Sequence, residues 1–198
     1  MRSDIEALQK TVDVLRRGGV IIFPTDTVYG LAANAFNAAA CRRIYSLKGR
    51  HYRKPLIVMP HSVNALRAIA VVPHKAEMII KKFWPGPLTL VLNTTDLGKL
   101  LMGGRNDVGV RIPDCSIAQK LLKLCDFPLA TTSANPSRKP SAKTAKDAAA
   151  YFHGKIDMVI DGGKCAHGAE STVVDMTHFP GTVVREGALD SKKLLKFL

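Results

Sequence analysis

The stretch Val20-Ile21-Ile22-Phe23-Pro24-Thr25-Asp26-Thr27-Val28-Tyr29-Gly30 decides how this chain is read. Four apolar residues in a row, with no polar alternation, describe a strand buried on both faces. Pro24 stops it because proline has no N–H for a ladder, and the polar Thr25-Asp26-Thr27 follows at once. Upstream, Ile5, Leu8, Val12 and Leu15 recur at helical spacing behind a Ser3–Glu6 capping box. Gly18-Gly19 ends that helix.

Outward from this unit the same rhythm repeats. A helix from about Ala38 ends at Gly49, and Leu56-Ile57-Val58-Met59 reads as a strand. Helices near 62–69 and 74–83 lead through Trp84-Pro85-Gly86-Pro87 to a strand at Leu88–Leu92. A strand at Val108–Ile112, a helix at 116–124 and a strand at Phe127–Thr131 run into Ser133-Ala134-Asn135-Pro136. Thr144 and Asp147 cap a helix to about Phe152, and strands near 156–160, 171–175 and 182–185 precede a short terminal helix. Alternating helices and strands give an α/β domain, and 198 residues suit a single domain spanning 1–198. The closing strands have no helix between them, so antiparallel pairing and a mixed sheet are expected.

Composition narrows the class. The 46% hydrophobic and 23% charged fractions are those of a globular protein. No apolar run approaches the ~20 residues a membrane-spanning helix needs. Met1-Arg2-Ser3-Asp4-Ile5-Glu6 carries charges where a signal peptide has its apolar stretch. The expectation is a cytoplasmic protein with no membrane partner. Cys41, Cys115, Cys125 and Cys165 show neither C-x-x-C pairing nor zinc spacing, so free structural thiols and no metal site are expected. Lys and Arg outnumber Asp and Glu by 29 to 16, a net charge of +13. That excess calls for anionic partners. It is spread through stretches such as 42–54 and 138–146, which suits a charged face and not a tail.

Standard catalytic motifs fail. Asp161-Gly162-Gly163-Lys164-Cys165 lacks the first glycine and the hydroxyl of a phosphate-binding loop, and Gly168-Ala169-Glu170-Ser171-Thr172 is no nucleophile elbow. What remains is a pattern: Thr25-Asp26-Thr27, Arg111 and Ser133-Ala134-Asn135 each sit just beyond an apolar strand. Open α/β sheets bind ligands beyond the carboxyl ends of strands, so these clusters are expected to share one rim. In Lys48-Gly49-Arg50, Gly49 ends the helix and presents both cations from a turn. They either complement the helix terminus, worth ~0.3–1 kcal/mol, or join Lys54, Arg111 and Arg185 in a polyphosphate cradle. Pro85-Gly86-Pro87 reads as a rigid turn, Tyr29 and Trp84 as core or rim aromatics, and Asp26 as an Asx-turn acceptor or a metal ligand.

Eight segments together resemble the YrdC-like family of threonylcarbamoyl-AMP synthases. They are Pro24–Leu31, Lys48–Arg50, Lys54–Leu56, Pro85–Thr89, Val110–Pro113, Ser133–Asn135, Ser171–Asp175 and Val184–Gly187, in the family's order across residues 19–187. The resemblance implies a single-domain YrdC-like fold, a twisted mixed parallel and antiparallel sheet flanked by helices with a concave basic face. It implies the conversion of L-threonine, bicarbonate or CO2, and ATP, with Mg2+, into threonylcarbamoyl-AMP and pyrophosphate for tRNA modification. It also implies binding of tRNA or double-stranded RNA, and hand-over of the product to tRNA threonylcarbamoyl-transferase proteins. By similarity the catalytic set falls on Lys48, Arg50, Ser133 and Asn135, and the threonine contacts on Thr27, Arg111, Ser133 and Ser171. ATP contacts fall on Arg50, Lys54, Asp107, Asn135, Lys143 and Arg185. Some relatives carry His where this chain has Met59, and longer ones have a second, C-terminal domain that contacts the nucleotide. The competing readings are a non-catalytic RNA-binding module and a sister carbamoyl-adenylate enzyme on the same fold.

Overall fold

In the computed structural model, which describes residues 2–198 with side chains from Ile5 onward, the opening apolar run becomes a strand buried at every position. The elements in chain order are α1 (Arg2–Arg16), β1 (Ile21–Phe23), β2 (Gly30–Asn34), α2 (Ala38–Lys48), β3 (Ile57–Met59), α3 (Val63–Ile69), α4 (His74–Phe83) and β4 (Leu88–Asn93). There follow α5 (Asp96–Leu101), β5 (Asp107–Val110), α6 (Ser116–Leu124), β6 (Leu129–Ser133), α7 (Ala145–Phe152), β7 (Met158–Val159), β8 (Thr172–Asp175) and β9 (Thr182–Arg185). A 3-10 turn at Ser191–Lys193 stands where a terminal helix is expected. Gly18, at φ +85°, turns the chain out of α1 in a backbone conformation that glycine adopts without steric cost. The Ser3–Glu6 capping box lies outside the described side chains.

Two elements are absent from the sequence reading. One is β2, whose Gly-Leu-Ala-Ala-Asn run has no β-branched or aromatic residue. It is a strand because both its edges are paired, to β1 and to β6. The other is α5, six residues long with Gly98 inside it. A Cβ at Gly98 would stand 1.8 Å from the Ile69 carbonyl oxygen, so the glycine lets α5 press against the end of α3. Gly98→Ala should therefore destabilise the fold by about 1–3 kcal/mol through overpacking. The check is a denaturant midpoint shift at unchanged slope.

The nine strands form one mixed sheet in the order β7-β1-β2-β6-β3-β5-β4-β8-β9. The pairs β1/β7, β3/β5 and β4/β8 are parallel and the rest antiparallel. Side chains alternate between faces along each strand. One face carries Val58, Val110, Leu90 and Val174, packed with Leu66, Ile69, Ile79 and Ile80 of α3 and α4. The same face continues through Ile22, Leu31 and Ala33 to Ile44 of α2 and Phe152 of α7.

The opposite face is only partly covered. Ile21, Phe23, Ala32 and Leu129 pack under Leu8, Val12 and Leu15 of α1 and Leu121 and Leu122 of α6. Beyond those helices the face turns polar. Pairing of Val58 with Val110, and of Leu90 with Val110, puts Thr89, Gly109 and Arg111 on the side of Ile57 and Met59. Ile57↔Thr131 adds Thr131 to that side. A Cβ on Gly109 would lie 3.7 Å from both Ile57 and Thr89, which shows the three sharing one surface. The polar half-face is where the site lies.

Candidate active site

A small inner cavity of about 100 Å3 sits on the polar half-face. Ile57, Met59, Thr131 and Ser133 contribute from β3 and β6, and Thr25, Thr27, Arg111, Ser171 and Arg185 from connections and strand ends. The Thr25-Asp26-Thr27 turn folds on itself: the Thr25 hydroxyl donates to the Val28 carbonyl at 2.7 Å, and the Thr27 N–H donates back to the Thr25 hydroxyl at 3.1 Å. Main-chain N–H groups of His167 and Gly168 then pin it through the Asp26 and Thr27 carbonyls.

Arg111 is the central brace. Its guanidinium donates to the Thr27 hydroxyl at 2.8 Å, to Asp26 Oδ1 at 2.5 Å and to the Gly86 carbonyl at 3.0 Å. The Arg111 and Asp26 side chains are 4% and 3% exposed, so this is a buried ion pair. Burial pushes the Arg111 pKa down and Asp26 opposes it. Asp26 Oδ2 is buried and has no hydrogen-bond partner among the described residues. Asp26 is thus the anion that holds Arg111, and neither the Asx-turn nor the metal-ligand reading describes its side chain. No group of three or more His, Cys, Asp or Glu among the described residues could hold a metal ion. The Pro85-Gly86-Pro87 turn does more than stiffen the chain, since it supplies the carbonyl that receives Arg111 Nε. On the far wall the Ser171 hydroxyl meets that of Thr89 at 2.8 Å. Arg185 clasps the Ser171 carbonyl with Nε and Nη2 and pairs through Nη1 with Glu170.

An outer cavity of about 590 Å3 adjoins this one, and Arg50, Ser133 and Glu170 line both. Its other walls include Lys48, His51, Lys54, Asn135, Arg138 and Lys139. The cations come from the end of α2, where Gly49 takes φ +58° and the Gly49 and Arg50 N–H groups close on Ser46 and Tyr45 carbonyls. The glycine is needed for that backbone alone, because a Cβ there would meet nothing within 4 Å. Arg50 is aimed by Nε and Nη2 bonds to the Lys54 and Pro55 carbonyls, both at 3.0 Å, which leaves donors on the fork for a ligand. Burial lowers its pKa, with Tyr45 and Glu170 opposing and Arg185 reinforcing.

Lys48 behaves differently. It is 4% exposed, and its ammonium donates to the Ser133 and Asn135 carbonyls and, at 3.4 Å, to Asn135 Oδ1. An ammonium has three hydrogens, so Lys48 is committed to the loop leaving β6. Asn135 is committed there too, its amide donating to the Pro136 and Lys139 carbonyls. Burial, then repulsion from Arg50, lowers the Lys48 pKa to about 8 against the pull of Glu170.

The expectation of a common rim beyond strand carboxyl ends holds for two clusters, because β1 and β6 both run antiparallel to β2 and carry Thr25–Thr27 and Ser133–Asn135 at the same edge, and it is corrected for Arg111. β6 runs antiparallel to β3, and β3 parallel to β5, so the ends that carry Ser133 and Arg111 point in opposite directions. The two meet across the sheet face instead. Of the residues singled out from sequence, Lys48, Arg50, Lys54, Ser133 and Asn135 line the outer cavity. Thr27, Arg50, Arg111, Ser133, Ser171 and Arg185 line the inner one. Asp107 is not brought in: it starts β5, pairs with Arg105 and lines neither cavity. Lys143 lines neither cavity as well, and its side chain lies against Gly168. Tyr29 and Trp84 are core, as read, with Tyr29 bonded to the Gly163 carbonyl and Trp84 Nε1 to the Leu88 carbonyl. The four thiols are free. Glu170, which bonds Ser141 as well as Arg185, went unnoticed. The available signal was a lone acid beside Ser171 in a chain short of acids.

Fold and site define an α/β protein with a small polar cavity joined to a larger one lined by cations. The family model Sua5_yciO_yrdC, described as "Telomere recombination", matches residues 13–187, and the chain belongs to that family. The threonylcarbamoyl-AMP synthase of Pyrococcus abyssi is 44% identical over 93% of this chain and 55% of its own length. A putative threonylcarbamoyl-AMP synthase of Methanocaldococcus jannaschii is 36% identical over 96% of this chain and 92% of its own. The crystal structure of P. abyssi Sua5 complexed with L-threonine superposes with a TM-score of 0.92 at 42% identity, over 96% of this chain and 57% of that one. The chain thus spans about half the length of several curated relatives that it matches.

Proposed function

We propose that this chain makes threonylcarbamoyl-AMP and pyrophosphate from L-threonine, bicarbonate or CO2, and ATP. The observation that carries the reading is the pair of joined cavities. The inner one is lined by hydroxyls and arginines on an amino-acid scale, and the outer one is cationic and roomy enough for a nucleotide. A relative crystallised with L-threonine, and relatives named for this activity, support the same assignment.

On this reading the ammonium of threonine first gives up a proton to solvent, and the neutral amine attacks CO2: the C–N bond forms as one C=O bond opens, and the second N–H proton also leaves to solvent. The carbamate oxygen then attacks the α-phosphorus of ATP as the bond to pyrophosphate breaks. The difficulty is an anion approaching an anion, and fixed cations stabilise the charge that develops on the leaving group. Thr27, Arg111 and Ser171 hold threonine. Arg50 stands at the junction of the cavities, where carbamate meets phosphate. Lys54 faces the nucleotide, Arg185 stays on the inner wall beside Ser171 and Glu170, and Lys48 with Asn135 fixes the loop beneath the nucleotide. Mg2+ fits as an ion carried by the phosphates, with Glu170 the one carboxylate lining either cavity. No helix in the described residues is long and apolar enough to cross a membrane. A cytoplasmic setting, tRNA as the eventual recipient and an RNA-attracting role for the +13 charge belong to the same proposal.

Pyrophosphate release should require ATP, threonine and bicarbonate together. Release without threonine and bicarbonate, or none with all three present, would refute the reading. Binding of RNA with no release would favour the non-catalytic module.

A further inference from the structure

We infer that Glu170 receives the substrate's α-ammonium group and so makes the inner cavity select amino acids over other small carboxylates. The inference rests on reading that cavity as the threonine site. Among the residues lining the two cavities Glu170 is the one acid, and with Arg50 and Ser133 it is common to both. Three arginines, Arg50, Arg111 and Arg185, line the inner cavity. With those alone the cavity would suit any small anion. A zwitterion's ammonium is favoured by a negative group, through a charge-assisted hydrogen bond, and in this cavity Glu170 is the one side chain that can supply it.

The side chain is fixed for such a role. One carboxylate oxygen accepts from the Ser141 hydroxyl at 2.9 Å and the other pairs with Arg185 Nη1. A carboxylate offers about four acceptor positions, so each oxygen keeps capacity for a further donor. The charged groups around it are Arg185 from β9, Lys48, Arg50, His51 and Lys54 from the end of α2 and the turn after it, and Arg138 and Lys139 from the loop after β6. None of these can accept an ammonium's hydrogen bond while protonated. His51 has a neutral form but lines only the outer cavity, where its Nδ1 accepts from the Arg53 N–H. Glu170 also lines both cavities, which puts it at the junction where, on the proposed reaction, the amino nitrogen has to come within reach of the nucleotide.

The test is calorimetric titration of wild type and Glu170→Gln with two ligands, L-threonine and (3R)-3-hydroxybutanoate, which keeps the carboxylate and hydroxyl but lacks the amine. Glutamine keeps the length and one oxygen to accept from Ser141. Threonine affinity should fall about 10- to 100-fold, the worth of one charge-assisted hydrogen bond. Affinity for the hydroxybutanoate should stay within about threefold. Ser141→Ala, which keeps the carboxylate and removes its support, should retain the preference for threonine. Equal losses for both ligands would mean that Glu170 only scaffolds Arg185, and would overturn the inference. So would unchanged threonine binding, or a loss confined to Mg2+–ATP. If wild type itself binds no threonine, the functional reading fails along with the inference. A failure seen only in Glu170→Gln leaves that reading standing.

Discussion

Arg111→Met should lower the melting temperature by roughly 10 °C and abolish threonine binding. The reason is what it leaves behind. Arg111 is the partner of Asp26, and both side chains are almost wholly enclosed. Asp26 Oδ2 already lacks a hydrogen-bond partner among the described residues, so removing the guanidinium strands a buried carboxylate. Breaking one half of such a pair typically costs about 3–5 kcal/mol, which for a domain of this size is about 2–4 °C per kcal/mol. The Gly86 carbonyl and the Thr27 hydroxyl lose a donor in the same step, and the turns that shape the inner cavity lose their brace. The double variant Asp26→Asn with Arg111→Met separates the two effects. Without the stranded charge it should recover most of the lost stability, yet still fail to bind threonine. Recovered binding in the double variant would mean that Arg111 serves the fold alone. Thermal melts and calorimetric titration of the three proteins read both quantities.

Much of this arrangement is legible in the sequence, and its limits have physical causes. Val20–Phe23 announces a buried strand, and the glycine of Lys48-Gly49-Arg50 announces a helix end. Both signals are local, arising from apolar continuity and from a backbone that favours glycine. β2 is invisible because Gly30–Asn34 is a strand through its partners, not through its own propensity. The direction of β5 relative to β6 is likewise set by β3 between them, so Arg111 and Ser133 could be named as site residues but not placed. Glu170 shows the same limit. A carboxylate among cations is meaningful only once Ser141, Arg185 and Arg50 surround it, and those contacts are distant in sequence. Lys48 reverses the lesson: its residue type suggests a phosphate ligand, and its geometry assigns it to main-chain carbonyls more than eighty residues away.

That geometry separates two substitutions that the sequence treats alike. Arg50→Ala should lower pyrophosphate release by about 10²–10³-fold, the usual cost of removing one pre-organised contact to developing charge, with little change in melting temperature. Arg50 keeps donors free at the junction of the cavities, and the bonds it does make are to carbonyls in the exposed turn after α2. Lys48→Ala should lose a comparable amount of activity by another route. It takes the ammonium donor from the buried Asn135 carbonyl, leaves the Ser133 carbonyl with the Asn135 N–H alone, and removes the 3.4 Å contact to Asn135 Oδ1. An unsatisfied buried group costs about 1–3 kcal/mol, so this variant should also melt several degrees lower, in keeping with about 2–4 °C per kcal/mol. Its nucleotide affinity should fall along with turnover, because the 133–139 wall of the outer cavity is then tied to the end of α2 by the main-chain bond from the Ser137 N–H to the residue-48 carbonyl and no longer by the ammonium. If instead Lys48→Ala melts like wild type and loses only turnover, the ammonium must leave its carbonyls for the phosphates during the reaction. If Arg50→Ala retains near-normal release, the junction of the two cavities is not where carbamate meets ATP.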